Sequence, residues 1–211
     1  MKILSKSPNR RKGVAIIEFT FSMLILVPLL LGVFVFGFRL IRSLQMQQIV
    51  RDLGHMYIRG VNFRNSGPQQ NAQTLAQSFD LSASGKSLII LSQIRIIQQA
   101  DCDAANPATP GLPCTNLNNP VFTEQLTIGN TSLAINGVSA RSAFGTPPIQ
   151  GDYTVSSTNQ ANSASAAATF GTVMTLKPGE FGYVAEMITS TPDLNVPGLS
   201  GSPQVYSRAI F

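Results

Sequence analysis

The sequence predicts an α+β protein, in which a long N-terminal helix packs on a mainly antiparallel sheet in a domain beyond a membrane span. Three observations predict it. Phe19 to Phe38 is a stretch of 20 residues without a charged side chain. Directly after it, apolar residues recur at helical spacing. Further on, the pattern changes to period two and to short apolar runs, separated by segments rich in Gly, Pro, Asn and Ser.

The charge distribution sets the first element apart. The chain has 211 residues with 15 Lys and Arg against 10 Asp and Glu. Five of those cations, Lys2, Lys6, Arg10, Arg11 and Lys12, precede Gly13 with no acid among them, which leaves ten to balance the ten acids. The basic pI of about 9.6 therefore belongs to a short leader. No basic stripe with interleaved aromatics follows, which argues against a nucleic-acid partner.

The apolar stretch is long enough to span a bilayer, since a helix rises about 1.5 Å per residue and the hydrocarbon core is about 30 Å thick. A secretory signal core is shorter, about 7–15 residues, and is followed by a small-residue cleavage site that "VFGFRLIRS" does not offer. A retained membrane helix in contact with lipid is expected. The leader cations outnumber Arg39 and Arg42 on the far flank, which places the N-terminus in the cytoplasm and the rest outside. Pro28 lies inside the span, where it removes one helical hydrogen bond and is expected to kink the helix.

The amphipathic extension follows. Met46, Ile49, Val50, Leu53, Met56 and Tyr57 form a helical stripe, with Gln47, Gln48, Arg51, Asp52 and His55 on the other face. Gly60 and "NFRNSGPQQN" are expected to end the helix near residues 59–65, and a short helix to follow at Asn71–Phe79. Strands are expected at Ser87–Ile97, Val121–Ile128, Thr131–Ile135, Phe170–Leu176 and Phe181–Thr189, with a last one in "VYSRAIF". "LKPGEF" reads as the turn of a hairpin joining two of them. Ala104–Pro120 and Val155–Thr169 read as exposed or partly disordered loops.

Cys102 and Cys114 are the two cysteines, bracketing a Pro/Gly-rich loop in a compartment expected to be oxidising, so a disulfide is expected. Two cysteines twelve apart with Asp101 or Asp103 are too few ligands for a metal site. The one histidine, His55, falls on the polar helix face and reads as solvated. No nucleophile–base arrangement, phosphate loop or metal motif stands out, so neither catalytic residues nor a cofactor is expected.

Glu18 is the odd residue, because an acid inside a membrane span costs about 2.5–3.5 kcal/mol at its centre. Basic residues, Gly13, four residues "VAII", then Glu18-Phe19 and an apolar run resemble the processing site of type IV prepilins. With "VPLLLGVFVFGF" following, the stretch from residue 10 to 40 is similar to TadE/TadG-like minor pilins, or pseudopilins, of the tight-adherence (Flp-type) pilus. The resemblance implies cleavage between Gly13 and Val14 by a membrane prepilin peptidase, with Glu18 and Phe19 serving assembly. It also implies partners: other minor and major pilins, an inner-membrane platform and a secretion ATPase. The domains are then a cleaved leader (1–13), a span (14–38), a helix extension (39–63) and a periplasmic α+β domain with long polar loops (64–211). The implied role is initiation, priming or tip formation in a pilus for surface attachment, at the bacterial inner membrane. A different reading, a signal-anchored periplasmic binding or sensor domain, keeps its basic leader uncut. A membrane-tethered hydrolase needs a clustered polar site that the sequence does not display.

Overall fold

The computed structural model of the chain describes residues 10–135, 138–139, 142–191 and 204–211. Lys2 and Lys6 of the leader lie outside them. The described structure divides into two compact units between Arg42 and Ser43.

Helix α1 runs from Arg10 to Ile58, 49 residues with Pro28 inside it. In the first unit every side chain from Gly13 to Leu31 is exposed, although nearly all of them are apolar. By length and composition this helix can cross a membrane, and lipid is the surrounding that such a surface suits. Thr20 donates its hydroxyl to the Ile16 carbonyl at 2.8 Å, which satisfies a polar group within the apolar run.

In the second unit the outer part of α1 has two faces. Met46, Ile49, Val50, Leu53 and Tyr57 are buried and Met56 is half-buried, whereas Gln47, Gln48, Arg51, Asp52 and His55 are exposed. Each fully buried large apolar side chain contributes about 1.5–3 kcal/mol. The helix stops because Gly60 takes φ +81°. Its N–H donates to the Tyr57 carbonyl at 3.0 Å, and that of Val61 to Met56 at 3.1 Å, the paired bonds of a Schellman end. The last helical residue, Ile58, thus lies one residue before the expected window, and the glycine that stops the helix, Gly60, lies inside it. Helix α2 (Ser66–Leu75) starts earlier than expected. Pro68 lies in its first turn, where no N–H is needed, and so opens the helix rather than breaking it.

Among the described residues the main sheet has four strands: β1 (Ser87–Ile96), β2 (Pro120–Gly129), and two more that come later in the chain. Between β1 and β2 lies α3 (Gln99–Ala105). After β2 come the short pair β3 (Ala134–Ile135) and β4 (Val138–Ser139), then α4 (Ser157–Gln160), β5 (Phe181–Ser190) and β6 (Gln204–Ile210). The order is β2-β1-β5-β6, antiparallel throughout.

Both faces of the central strands are covered. Ile89 and Leu91 of β1, Leu126 and Ile128 of β2 and Ala185 and Met187 of β5 pack with the α1 stripe, Phe63 and the α2 side. On the opposite face, Ile94, Phe122 and Val184 pack with Phe144, Val155, Ala167 and Phe170 from the long connections. This two-sided burial explains why β5 reads as largely apolar rather than alternating.

Three expectations are corrected. Phe170–Leu176 is not a strand: Phe170–Thr172 is a 3₁₀ turn, and Phe170 is fully buried as a core plug. No hairpin therefore forms at "LKPGEF", although the turn itself closes with Glu180 N–H donating to Lys177 O at 3.0 Å. Thr131–Ile135 contributes only the two residues of β3. Val155–Thr169 is not an exposed loop. Val155, Ala161, Ser165 and Ala167 are buried in it, and Asn116 Nδ2 donates to the carbonyls of Gln160 (2.9 Å) and Asn162. Side-chain amides wire this segment down, which apolar periodicity does not register.

Gly129 ends β2 with φ +111°, and a Cβ there would strike the Ser87 carbonyl, a backbone atom. Gly129→Ala is expected to destabilise the folded domain by about 1–3 kcal/mol. Thermal unfolding followed by circular dichroism checks it, and an unchanged midpoint would contradict this account of the strand end.

Candidate functional site

Two regions concentrate unusual residues: the start of α1 and a cleft at its far end.

At the start, Gly13, Val14, Glu18 and Phe19 lie on consecutive turns of α1. Val14 and Glu18 are four apart and share one face. Val14 is 57% and Phe19 62% exposed, and Glu18 is exposed as well. A Cβ built on Gly13 would meet nothing within 4 Å, and the same holds for Gly32 and Gly37. No internal packing requires glycine at these places, and a helical glycine costs about 0.8–1.0 kcal/mol relative to alanine. Among the described residues no ion pair or hydrogen bond engages the Glu18 carboxylate.

At the far end, the Schellman turn carries the chain over β2 and opens a cleft of about 310 Å³. Tyr57 (α1), Phe63 and Arg64 (the turn), Gln93 (β1), Glu124 (β2) and Tyr183 (β5) line it. Arg64 grips Glu124 with both ends of its guanidinium fork, Nη2 to Oε2 at 2.9 Å and Nε to Oε1 at 3.3 Å. A bulge places Glu124 there: Gln93 pairs with Glu124, but Ile94 pairs with Phe122, leaving Thr123 as the extra residue. Thr123 Oγ1 donates to Gln93 Oε1 at 2.8 Å, and Gln93 Nε2 donates to Tyr183 Oη at 3.1 Å. The Tyr57 ring meets Tyr183 edge-on at 5.3 Å. Its hydroxyl is buried and, among the described residues, has no hydrogen-bond partner. Burial raises the Tyr57 phenol above its ordinary range, with the Glu124 charge adding to the shift, so it stays protonated.

Cys102 and Cys114 form the expected disulfide, with Cα atoms 5.4 Å apart. Cys102 is buried beside Ile97 and Val121. The loop between the cysteines is fastened independently, because Asp103 Oδ1 accepts from Gln99 Nε2 and from Gly111 N, each at 2.8 Å. Asp101, considered above as a ligand, instead caps α3 and accepts from Arg95 at 2.8 Å. Among the described residues no group of three or more His, Cys, Asp or Glu could hold a metal ion. His55 is exposed, but its ring also lies against Phe211, with centroids 4.9 Å apart.

Sequence reasoning gave Glu124 and Glu186 no partners. The β1–β2 bulge and a 60-residue gap separate Arg64 from Glu124, so no local signal links them. Glu186 is fully buried in β5. Its Oε1 accepts from Tyr206 Oη at 2.6 Å and from Ala143 N at 2.9 Å, whereas Oε2 has no partner among the described residues.

Comparison of the chain with protein-family models, with curated proteins and with solved structures finds no match.

Burial raises the Glu186 carboxyl above its ordinary 4.5, outweighing its hydrogen bonds and Arg208. Above that value the folded state then binds more protons than the unfolded one, so this group makes stability fall as pH rises. The Glu186→Gln variant lacks this term. Its stability relative to wild type is expected to improve as pH climbs from 4.5 toward neutrality. Melting temperatures of both proteins across that range test the point, and parallel pH profiles would contradict it.

Proposed function

We propose that the protein is a TadE/TadG-like minor pilin, cleaved between Gly13 and Val14 and taking part in the initiation, priming or tip of a tight-adherence pilus. The observation that carries this reading is the pairing of two locally unfavourable residues, Gly13 and Glu18, at the mouth of a helix whose apolar surface is exposed. A glycine with open space around it suits recognition by a peptidase cleft. An unpartnered carboxylate one turn from Val14 suits a new amino terminus created there. In a low-dielectric boundary an ammonium and a carboxylate attract far more strongly than in water. Pairing between Val14 of one subunit and Glu18 of its neighbour then holds both in one register. In this reading the leader is cytoplasmic, the second unit is periplasmic, and its disulfide suits an oxidising compartment.

Residues 43–211 form a unit far larger than a bare helical pilin, which favours a minor over a bulk subunit. Pro28 and the small residues Gly32 and Gly37 suit a span that loosens and packs against other helices. The partners in this reading are prepilin peptidase, other minor and major pilins, the inner-membrane platform and membrane lipid.

Mass spectrometry of membrane-extracted protein is expected to find Val14 as the first residue, and Gly13→Leu to accumulate uncut. An intact Met1 terminus in cells with active prepilin peptidase would overturn the reading in favour of an uncut signal anchor.

Glu18→Ala is expected to insert and be cleaved but to assemble poorly. Removing one side of a buried charge pair costs about 3–5 kcal/mol, and each 1.4 kcal/mol is about tenfold in an equilibrium. Subunit association should weaken by about two decades or more. Pilus yield and co-purification of partner pilins measure it, and wild-type levels with normally cleaved protein would remove Glu18 from the assembly contact.

A further inference from the structure

The two outer edges of the sheet are treated differently. The β2 edge is covered by the chain itself. Val155 N–H donates to the Thr123 carbonyl and Ala167 N–H to that of Pro120, each at 2.9 Å, and Gln125 N–H donates to the Tyr153 carbonyl at 3.0 Å. The β6 edge has no such cover among the described residues. A row of free N–H and C=O groups is a template for another strand, and natural sheets blunt such an edge with proline, lysine or a bulge. Strand β6 uses none of these. It runs from Gln204 to Ile210 without Pro or Lys, and its register with β5 is unbroken. Its one charged side chain, Arg208, is laid over the Phe144 ring, with Cζ 4.7 Å from the centroid.

The phase of the ladder gives the outward groups. Tyr183 and Phe211 exchange both backbone bonds. Bonded and non-bonded positions alternate in an antiparallel pair, so Ala209, Ser207 and Val205 also bond to β5. Ile210, Arg208, Tyr206 and Gln204 therefore turn their N–H and C=O groups away from it. Such a row at every second residue fits an extended strand rather than a helix. A hollow of about 280 Å³ lies beside this edge, lined by Gln47 and Arg51 of α1 and Tyr206, Ser207 and Arg208 of β6. Among the described residues its lining holds two cations and no acid; neither Asp52 nor Glu186 reaches it. Arg51, Tyr206 and Arg208 are exposed. Glu186 is buried, and burial pushes its carboxyl toward the neutral form, so it offsets little of this charge. Fixed positive charge beside outward strand bonds is complementary to a strand that carries a carboxylate. A second copy meeting this one through the same edge would bring two more cations to the hollow, which like-charge repulsion opposes.

We propose that the β6 edge binds an extended acidic segment of another protein, which adds a fifth strand to the sheet and places an Asp or Glu side chain in the hollow between Arg51 and Arg208. Backbone bonds to Gln204, Tyr206, Arg208 and Ile210 supply the affinity, and the hollow selects the side chain. The inference does not rest on cleavage at Gly13. Loss of strand binding and loss of processing are separate results.

The test uses the full chain in detergent micelles and three short peptides of alternating Thr and Val, with Glu, Gln or Pro at the centre. In the free protein, hydrogen exchange is expected to be fast at the amides of Tyr206 and Arg208 and slow at those of Ser207 and Ala209. The Glu peptide should bind saturably, as read by fluorescence polarisation of a labelled copy, and should slow exchange at Tyr206 and Arg208. The Gln peptide should bind about two- to fivefold more weakly, the range of a solvent-exposed ion pair. The Arg51→Gln protein should lose as much toward the Glu peptide while melting as wild type, since Arg51 lies on the exposed helix face. The Pro peptide should bind about tenfold more weakly or worse, because it lacks an N–H that the ladder needs. Slow exchange at all β6 amides of the free protein at every dilution overturns the proposal, since the edge is then covered from within. Slowing that appears only as protein concentration rises overturns it in favour of a second copy. No saturable binding of the Glu peptide, or equal binding of the Glu and Gln peptides, overturns it as well.

Discussion

The second unit depends on burial of the stripe from Met46 to Tyr57. Met46 and Leu53 are wholly inaccessible, and they meet Leu91, Leu126 and Met187 within one cluster. Without that helix face, strands β1 and β5 would show water a nearly continuous apolar surface. An antiparallel sheet can turn one face to water when the residues on that face are polar, and here Ile89, Leu91, Leu126, Ile128, Ala185 and Met187 occupy it. The stripe also fixes Gly54 against the Phe211 ring, where a Cβ would collide with the ring. The end of the chain is thus tied to α1 by contact and to β5 by Tyr183 and Phe211, which exchange both backbone bonds at 3.0 Å.

The opposite face of the sheet is covered differently, by connections rather than helices. Phe144, Phe170 and Val155 reach into it from irregular segments. Gly182 makes room for Phe170, since a Cβ there would come within 2.7 Å of its ring. Irregular backbone can cover a core only where its own polar groups are satisfied. The Asn and Ser residues of these segments do that. Ser156 accepts from Asn159 N at 3.3 Å, Asn162 from Ala164 N at 2.9 Å, and Ser165 donates to the Asn159 carbonyl at 2.7 Å.

This difference decides what the sequence reveals. The α1 stripe was legible because all six of its residues recur at helical spacing and all six pack inward or partly so. Strands β1, β2, β5 and β6 were legible from apolar runs. Phe170 misled because a single plug residue and its neighbours mimic a strand's alternation. The Ser/Asn-rich connection misled because its order comes from side-chain hydrogen bonds between distant positions, such as Asn116 with Gln160. The Cys102–Cys114 bridge was legible because the two cysteines bracket a Pro/Gly-rich loop that can bring its ends together. The cleft was not, because Tyr57, Arg64, Gln93, Glu124 and Tyr183 are brought together only by the β1–β2 bulge and the helix end.

Natural sequences agree with their fold at most positions, and the exceptions gather where something outside the fold makes the demand. Tyr57 and Glu186 carry buried polar atoms without partners among the described residues, and each is costly by the same physics. Glu186 has an internal account, since two donors hold its other oxygen and the Arg208 charge lies near. Tyr57 has no such donors, and burial keeps its phenol protonated. Gly13 and Glu18 are exceptions of another kind. One weakens the helix and the other burdens an apolar run, and no contact among the described residues compensates either. A lone misfit would be unremarkable. Two misfits five residues apart, where the cations Arg10, Arg11 and Lys12 give way to an apolar run, are what the proposed cleavage would act on at the first and use at the second.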